Sequence, residues 1–237
     1  MSENDPAACL AEPNGVSLFG VVRATARLSS RPRNEDEYEY GGTSMKAANS
    51  GIAGCEFVPI SANRDDRGCL FELFRDSWSD AFRALQWNAC ASKAGVVRGA
   101  HVHVDYDEYY TLPLGRAVLG LADIRKNSPT YRKSAQIAWR DKDGFAVVIP
   151  RGVVHVLLFE EDSVLVFGLS GFWQAKYDVV GCQWNDPELG LQWPTRSVVR
   201  SDRDTKSGDY QAMLRLYEDL SREVSRTGAA HAPVVQM

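Results

Sequence analysis

The chain has 237 residues and a formal net charge of −4, which excludes the strongly basic character typical of nucleic-acid-binding proteins. Hydrophobic residues make up 44% and charged residues 24% of the sequence, as in ordinary globular proteins. There is no apolar run of transmembrane length and no signal-peptide pattern at the start. The five cysteines are scattered without a CxxC pair, which favours reduced thiols. We therefore expect a cytoplasmic protein that binds neither nucleic acid nor membrane.

Residues 1–54 are rich in Gly, Ser, Asn and acidic residues and show no helical or strand periodicity. This composition predicts a flexible N-terminal extension. Val16–Val22 is the exception, because its apolar run has the pattern of a short strand.

From Cys55 onward, short apolar runs alternate with turn signals, a pattern typical of a β-sandwich or barrel. A short helical turn is predicted at 79–85. In Asp209–Val224, apolar residues three and four apart predict one amphipathic helix. The predicted strands are 55–61, 69–75, 86–92, 95–104, two strands within 107–124 joined at Pro113–Gly115, 134–140, 145–150, 153–160 and 163–171.

Two of the four histidines, His101 and His103, stand two residues apart, and Glu108 and His155 follow further along the chain. Because residues i and i+2 of a strand point to the same face, His101 and His103 are expected to converge on one point. Three imidazoles and one carboxylate suit a divalent first-row metal such as iron, manganese, nickel or zinc. We therefore predict His101, His103, Glu108 and His155 as metal ligands.

The spacing around these residues resembles the two motifs of the cupin superfamily. In the first motif, Gly95 is followed after five residues by His101-x-His103, and the motif continues through Glu108 to Gly115. In the second, Gly144 is followed by Pro150-x-Gly152 and then by His155. The resemblance implies an all-β cupin jelly roll, here with a C-terminal helix. Histidines that perform metal-free acid–base chemistry are the alternative to a metal site.

A second resemblance, to the dTDP-4-dehydrorhamnose 3,5-epimerase family, runs in order through Cys55 to Asp204. It rests on Asp66-Arg67-Gly68 with Phe71-x-x-Phe74, Gln86-x-Asn88, Arg98-Gly99-x-His101, Asp123–Lys126 with Ser128–Tyr131, and Trp184–Pro187 through Trp193-Pro194. The resemblance implies a homodimer that acts on a nucleotide-linked 4-keto-6-deoxy sugar. We divide the chain into a flexible extension (1–54), a cupin domain (55–204) and a C-terminal helix and tail (205–237).

The resemblance also implies roles for individual residues. His101 matches the family's general base, and Asp204 matches the carboxylate partner of that base. The positions that match substrate-binding residues are Arg67, Phe71, Glu72, Gln86, Asn88 and Arg98. Two positions depart from the family pattern. The active-site lysine falls at Glu108, and the proton-donating tyrosine falls at Phe167, which has no proton to donate.

These departures favour a metal at the four predicted ligands, because a divalent ion would restore the positive charge that stabilises an enolate. A metal-bound His101 lacks the lone pair of a base, so the proton-transfer role would pass to another residue. The candidates are Tyr106, Tyr109, Tyr110 and Glu72. Tyr109 and Tyr110 are expected to point to opposite faces of one strand, so only one of them can face a cavity.

Three functions remain open from the sequence. The first is a metal-dependent epimerase that moves α protons on a nucleotide-linked keto sugar. The second is an iron-dependent cupin oxygenase, or a cyclising or isomerising tailoring enzyme of secondary metabolism, with a non-sugar substrate. The third is a non-catalytic binding cupin, which is considered because both family catalytic positions, Glu108 and Phe167, have changed. A barrel interior filled by side chains would favour the third.

Overall fold

A computed structural model describes residues 50–78 and 82–227 of the chain. The strand predicted at Val16–Val22, with residues 1–49 of the predicted extension, lies outside the described residues. The strands are β1 (Glu56–Pro59), β2 (Ala62–Asp65), β3 (Gly68–Phe71), β4 (Gln86–Ser92), β5 (Val97–His101), β6 (Glu108–Leu114), β7 (Arg116–Asp123), β8 (Ser134–Arg140), β9 (Phe145–Ile149), β10 (Val153–Phe159) and β11 (Ser163–Leu169). A 3₁₀ turn (Pro187–Leu189) and two helices, α1 (Asp202–Thr205) and α2 (Tyr210–Thr227), follow.

The strands form two packed sheets and one separate hairpin. One sheet has five strands in the order β1-β9-β6-β11-β4, and the other has four in the order β5-β10-β7-β8. Strands β2 and β3 pair only with each other. From β4 to β11 the chain crosses from one sheet to the other at every connection except that between β7 and β8, as in a jelly roll. The predicted all-β cupin jelly roll with a C-terminal helix is confirmed.

Strand β10 shows how the two sheets bury their residues. Val153, Leu157 and Phe159 pack into the cluster between the sheets, with Leu112, Leu119, Ile149 and Leu165 of other strands. Val154 and Val156 point the opposite way and pack in a second cluster with Met213 and Val224 of α2. Because β10 is buried on both faces, its sequence is a continuous apolar run broken only by His155.

The helix α2 therefore covers the outer face of the four-stranded sheet. The sequence placed this helix at Asp209–Val224, and the structure places it at Tyr210–Thr227. Asp209 remains at its start, where the side chain accepts a hydrogen bond from the backbone N–H of Ala212 at 2.7 Å, the arrangement of an N-cap. None of the helices in residues 50–78 and 82–227 is long and apolar enough to span a membrane.

Three predicted elements end differently in the structure. The second predicted strand, 69–75, stops at Phe71, where its pairing with β2 ends. The short helix predicted at 79–85 is absent from its described part, Phe82–Leu85, where the ring of Phe82 is buried and stacks on Tyr109. The strand predicted at 95–104 ends at His101. The next N–H, that of Val102, donates to the carbonyl of Val180 at 3.2 Å instead.

Candidate active site

A cavity of about 610 Å³ opens between the two sheets. Its walls come from β4, β6 and β11 of one sheet and from β5 and β10 of the other, and the segments 173–178 and 199–204 contribute at its rim. A volume of this size accommodates a small-molecule ligand. The interior of the jelly roll is therefore not filled by side chains.

The end of β5 places His101 in the cavity beside Asp204. His101 Nε2 lies 2.6 Å from Asp204 Oδ1, and Asp204 is 4% exposed. Ser201, the N-cap of α1, accepts a hydrogen bond from the N–H of Asp204 at 3.1 Å and so fixes the position of this residue. Burial raises the pKa of Asp204, but the hydrogen bonds from His101 and Ser201 and the charges of His101 and Arg203 together outweigh it, and the net shift is downward. Asp204 is thus an ionised acceptor that orients the imidazole.

A second cluster lies deeper in the cavity and contains His103, Glu108 and His155. One nitrogen or oxygen atom from each side chain lies within 4.8 Å of the others, and all three residues are buried. His103 Nε2 is 3.4 Å from Glu108 Oε1, and His155 Nδ1 is 3.3 Å from Glu108 Oε2. Glu108 Oε2 and His155 Nδ1 have no hydrogen-bond partner among the described residues.

The charge states of this buried cluster follow from its own contacts. Burial raises the pKa of Glu108, but His155 and His103 outweigh it and lower the pKa to about 2. Burial lowers the pKa of His155 to about 4, and Glu108 offsets this only in part. For His103, burial lowers the pKa, but the attraction of Glu108 gives a net upward shift. A carboxylate and a neutral imidazole are the states that bind metals.

The structure groups three of the four predicted metal ligands, and His101 lies beside this group with its ring centroid 6.0 Å from that of His155. Because β5 ends at His101, the alternation of faces expected for one strand does not extend to His103. His101 binds Asp204, whereas His103 stacks against His155 with ring centroids 5.2 Å apart. The nitrogen that hydrogen-bonds to Asp204 is therefore separate from the candidate metal cluster.

The two adjacent tyrosines of β6 point to opposite faces, as alternation requires. The Tyr110 hydroxyl donates to Glu108 Oε1 at 3.1 Å, inside the cavity. The Tyr109 hydroxyl donates to the carbonyl of Leu73 at 2.8 Å, on the outer face of the five-stranded sheet. Tyr109, a predicted catalytic residue, is not brought to the cavity. Tyr106 also lines the cavity, and its ring stacks on His103 at 4.5 Å.

The predicted substrate-binding residues divide into two groups. Asn88 and Arg98 line the cavity, and Gln86 donates to Asn88 Oδ1 at 3.0 Å. The other three, Arg67, Phe71 and Glu72, belong to or directly follow the β2–β3 hairpin and do not line this cavity. The Arg67 side chain is 91% exposed and is paired with Asp65.

Sequence reasoning missed four residues at the cavity rim. They are Trp173, Asp178, Arg200 and Arg203. Arg203 Nη1 donates to Asp178 Oδ2 at 2.7 Å. Trp173, Asp178 and Arg200 lie in irregular segments and Arg203 lies in the four-residue helix α1, so no periodic pattern indicates the direction of these side chains. The only available signal was the proximity of Arg200 and Arg203 to Asp204 in the sequence.

The jelly roll and its interior His–Asp pair define a cupin with an enzyme-like site. The sequence model of the dTDP-4-dehydrorhamnose 3,5-epimerase family matches residues 49–211. A protein of that name from Mycolicibacterium smegmatis is 30% identical over 176 residues, covering 69% of this chain and 85% of its own. The chain belongs to the dTDP-4-dehydrorhamnose 3,5-epimerase family. The predicted enzyme class, an isomerase or epimerase, is confirmed.

Solved structures give the same fold. The 4-keto-6-deoxy sugar epimerase NovW of Streptomyces spheroides has a TM-score of 0.62 at 23% identity and covers 90% of this chain and 98% of its own. The epimerase of Legionella pneumophila, determined with dTDP-4-keto-L-rhamnose, has a TM-score of 0.63 at 21% identity and covers 70% of this chain and 94% of its own.

Proposed function

We propose that this protein epimerises a nucleotide-linked 4-keto-6-deoxy sugar by removing and returning a proton α to the ketone. The supporting observation is the His101–Asp204 contact of 2.6 Å in an open cavity. A base of this kind removes the α proton and leaves an enolate. A proton delivered from the opposite face then inverts the carbon.

In this proposal His101 is the base and Asp204 is its orienting partner. Because Nε2 binds the carboxylate, Nδ1 is the nitrogen left with a lone pair for the substrate proton. The ionised Asp204 stabilises the imidazolium that forms. A His–carboxylate pair of this kind fixes both the tautomer and the direction of the ring.

We further propose that His103, Glu108 and His155 hold a divalent metal ion. Two imidazoles and one carboxylate are a suitable donor set, and the unpartnered buried atoms Glu108 Oε2 and His155 Nδ1 fit a missing positive partner. When bound, such an ion supplies Lewis-acid stabilisation of the charge that develops on the ketone oxygen. Because His101 stands outside this cluster, metal binding and the base role do not compete.

Tyr110 is the residue we propose as proton donor. Its hydroxyl lies inside the cavity and is hydrogen-bonded to Glu108. Tyr110 also stands directly opposite Phe167 in the register of β6 and β11. A phenol on β6 can therefore replace the one absent from β11.

The expected homodimer remains part of this proposal. The β2–β3 hairpin is largely exposed, with Leu70 70% exposed at its second strand, and a two-stranded hairpin is marginally stable alone. Arg67, Phe71 and Glu72 lie outside their own chain's cavity. Packing of this hairpin on a second protomer would bring them to the cavity of that protomer.

The decisive experiment follows α-hydrogen exchange into dTDP-4-keto-6-deoxyglucose in D₂O by NMR, using the full-length protein. We expect the wild type to incorporate deuterium and His101→Ala to lose exchange by ~10²–10⁴-fold, as for removal of a general base. Asp204→Asn should lose part of the exchange activity, because the amide orients His101 less well than the carboxylate does. If the wild type exchanges no substrate hydrogen, the epimerase proposal is wrong.

Metal dependence has a separate test. Elemental analysis of protein purified without a metal-affinity tag should give near-stoichiometric divalent metal in the wild type and little in Glu108→Gln. Equal metal content in the two proteins would contradict the three-residue site. A wild type that exchanges α hydrogens without metal would instead support the metal-free alternative, in which protonated His103 supplies the positive charge.

A second candidate function is an iron-dependent oxygenase. Two histidines and one carboxylate with open positions are typical of non-haem iron oxygenases, and His103, Glu108 and His155 have this composition. Turnover that is indifferent to oxygen would remove this candidate.

A further inference from the structure

The carboxylates that line the cavity, among the residues the structure describes, each have a basic partner. The pairs are Asp204 with His101, Asp178 with Arg203, and Glu108 with His103 and His155. None of these lining carboxylates forms an ion pair with Arg98 or Arg200, the other two arginines that line the cavity. The charges of these two arginines are therefore not engaged by a carboxylate of the described residues.

Two cavity arginines have only neutral partners in the described part of the chain. Arg98 Nε donates to the hydroxyl of Ser92 at 2.9 Å. Arg200 Nη1 donates to Gln183 Oε1 at 2.7 Å. Hydroxyl and amide oxygens hold a guanidinium in position without neutralising it, in contrast to the Asp178 carboxylate that pairs with Arg203. Arg98 and Arg200 therefore keep their charge available to a ligand.

The position of Arg200 is set by a small hydrogen-bond network. Gln183, its amide partner, donates from Nε2 to the carbonyls of Thr205 at 3.2 Å and Ser207 at 2.6 Å. The carboxamide is thus fixed with its oxygen free to accept from Arg200. A side chain held in this way loses less conformational entropy when it binds a ligand.

Backbone hydrogen bonds place the two arginines on adjacent segments. The N–H of Val97 donates to the carbonyl of Val199, and the N–H of Val199 donates to the carbonyl of Gly95, both at 2.9 Å. Arg98 and Arg200 each follow directly after one of these paired residues, and both line the same cavity.

We propose that Arg200 is an anion-binding residue that acts with Arg98 as a two-guanidinium clamp for the diphosphate of a nucleotide-linked substrate. This inference rests on the proposed function and extends it, because the sequence assigned a binding role to Arg98 and none to Arg200. The planar fork of each guanidinium suits paired hydrogen bonds to phosphate oxygens. Two guanidinium groups without a carboxylate partner match the two adjacent charges of a diphosphate, whereas a neutral nucleoside has no group for them.

The test compares dTDP with thymidine as ligands of the full-length protein by isothermal titration calorimetry. In Arg200→Gln we expect dTDP affinity to fall ~10–100-fold, as for loss of a hydrogen bond to a charged group, with thymidine affinity unchanged. Arg200→Lys should recover part of the affinity because it keeps the charge without the fork. Arg196→Gln is the matched control, since Arg196 is an exposed arginine of the same segment that does not line the cavity.

The outcomes separate this inference from the function on which it rests. If the wild type binds dTDP and exchanges α hydrogens but Arg200→Gln binds dTDP equally well, only the clamp is wrong. The clamp is also wrong if thymidine affinity falls as much as dTDP affinity. A wild type that neither binds dTDP nor exchanges substrate hydrogens would overturn both proposals. If Arg200→Gln does not fold, Gln183→Leu and Arg200→Lys serve as replacement variants. The clamp is wrong if both of them bind dTDP as tightly as the wild type does.

Discussion

Tyr110 and Phe167 face each other across β6 and β11, with ring centroids 5.7 Å apart. Where the family pattern has a tyrosine on β11, this chain has a phenylalanine, and the cavity retains a phenol on the neighbouring strand. The Tyr110 hydroxyl donates to Glu108, the other position that departs from the family pattern. Tyr110 thus contacts both departures, Glu108 through this hydrogen bond and Phe167 through its ring.

Tyr110→Phe should lower epimerisation by ~10²–10⁴-fold, the usual contribution of a general acid. Because His101 still removes the α proton, exchange with solvent deuterium should fall much less than inversion. NMR of the substrate reports both quantities in one experiment.

Tyr109→Phe is the matched control for this prediction. Its hydroxyl donates to the Leu73 carbonyl on the other face of β6, so turnover should stay near the wild-type value. Loss of this hydrogen bond should lower the free energy of unfolding by about 1 kcal/mol, the typical net contribution of a hydrogen bond. Equal losses of turnover in the two variants would contradict the role of Tyr110.

At the scale of single elements, Asp123 organises the connection between β7 and β8. Its carboxylate accepts hydrogen bonds from Arg125, Ser128 and Thr130 at 2.6–2.8 Å, and it is 0% exposed. Burial raises the pKa of Asp123, but the bonds from Arg125, Ser128 and Thr130 outweigh it and lower the pKa to about 2. The charged form is therefore more stable in the folded protein than in the unfolded chain.

Asp123→Asn should lower the free energy of unfolding at neutral pH by about 2 kcal/mol, the value that a shift of this size implies. Because the folded pKa is lower than the unfolded one, this contribution is fully present above about pH 4. It is lost as the pH falls towards 2, so the gap between wild type and variant should narrow in acid. Urea unfolding at several pH values measures the gap, with Asp76→Asn as an exposed control. A pH-independent gap would contradict the assignment.

The helix α2 gives a second prediction at this scale. Met213 is 1% exposed and belongs to the cluster formed with β10, so Met213→Ala should cost about 2–5 kcal/mol of stability. Leu216→Ala, on a residue 38% exposed, should cost much less. Thermal unfolding of both variants checks the expected burial. Equal effects would mean that α2 is not packed on the sheet as described.

The sequence allowed prediction of most elements because their signals are local. The join at Pro113–Gly115 is an example, since β6 ends and β7 begins there. The separation of His101 from His103 was not predictable from the pattern of residues, because it depends on where β5 ends. The pairing of His101 with Asp204, 103 positions away in the sequence, was expected only from the family resemblance. Arg200 was missed for a similar reason, since its partner Gln183 is defined by tertiary packing alone.

At the scale of the whole molecule, the hairpin β2–β3 is the feature that a single chain leaves unexplained. Its strands pair only with each other, and most of its residues are exposed. If the hairpin packed only on its own domain, we would expect its apolar residues to be buried there, whereas Leu70 is 70% exposed. The proposed homodimer gives this surface a partner, and it gives Arg67 a cavity to reach.

Mixed dimers distinguish a hairpin that serves its own cavity from one that serves its neighbour's. Arg67→Ala and His101→Ala should each lower turnover when present in both protomers. In a heterodimer of the two variants, a hairpin that crosses to the partner leaves one cavity with both changes and the other with neither. Differently tagged and co-purified heterodimers should then regain about half of the wild-type activity, since a two-fold symmetric dimer has two equivalent sites.

A heterodimer of His101→Ala with Asp204→Asn is the control, because both residues belong to the same chain's cavity and no intact site can form. If the first heterodimer is as weak as its parents, or if the protein is monomeric by light scattering, Arg67 does not act on a neighbouring cavity.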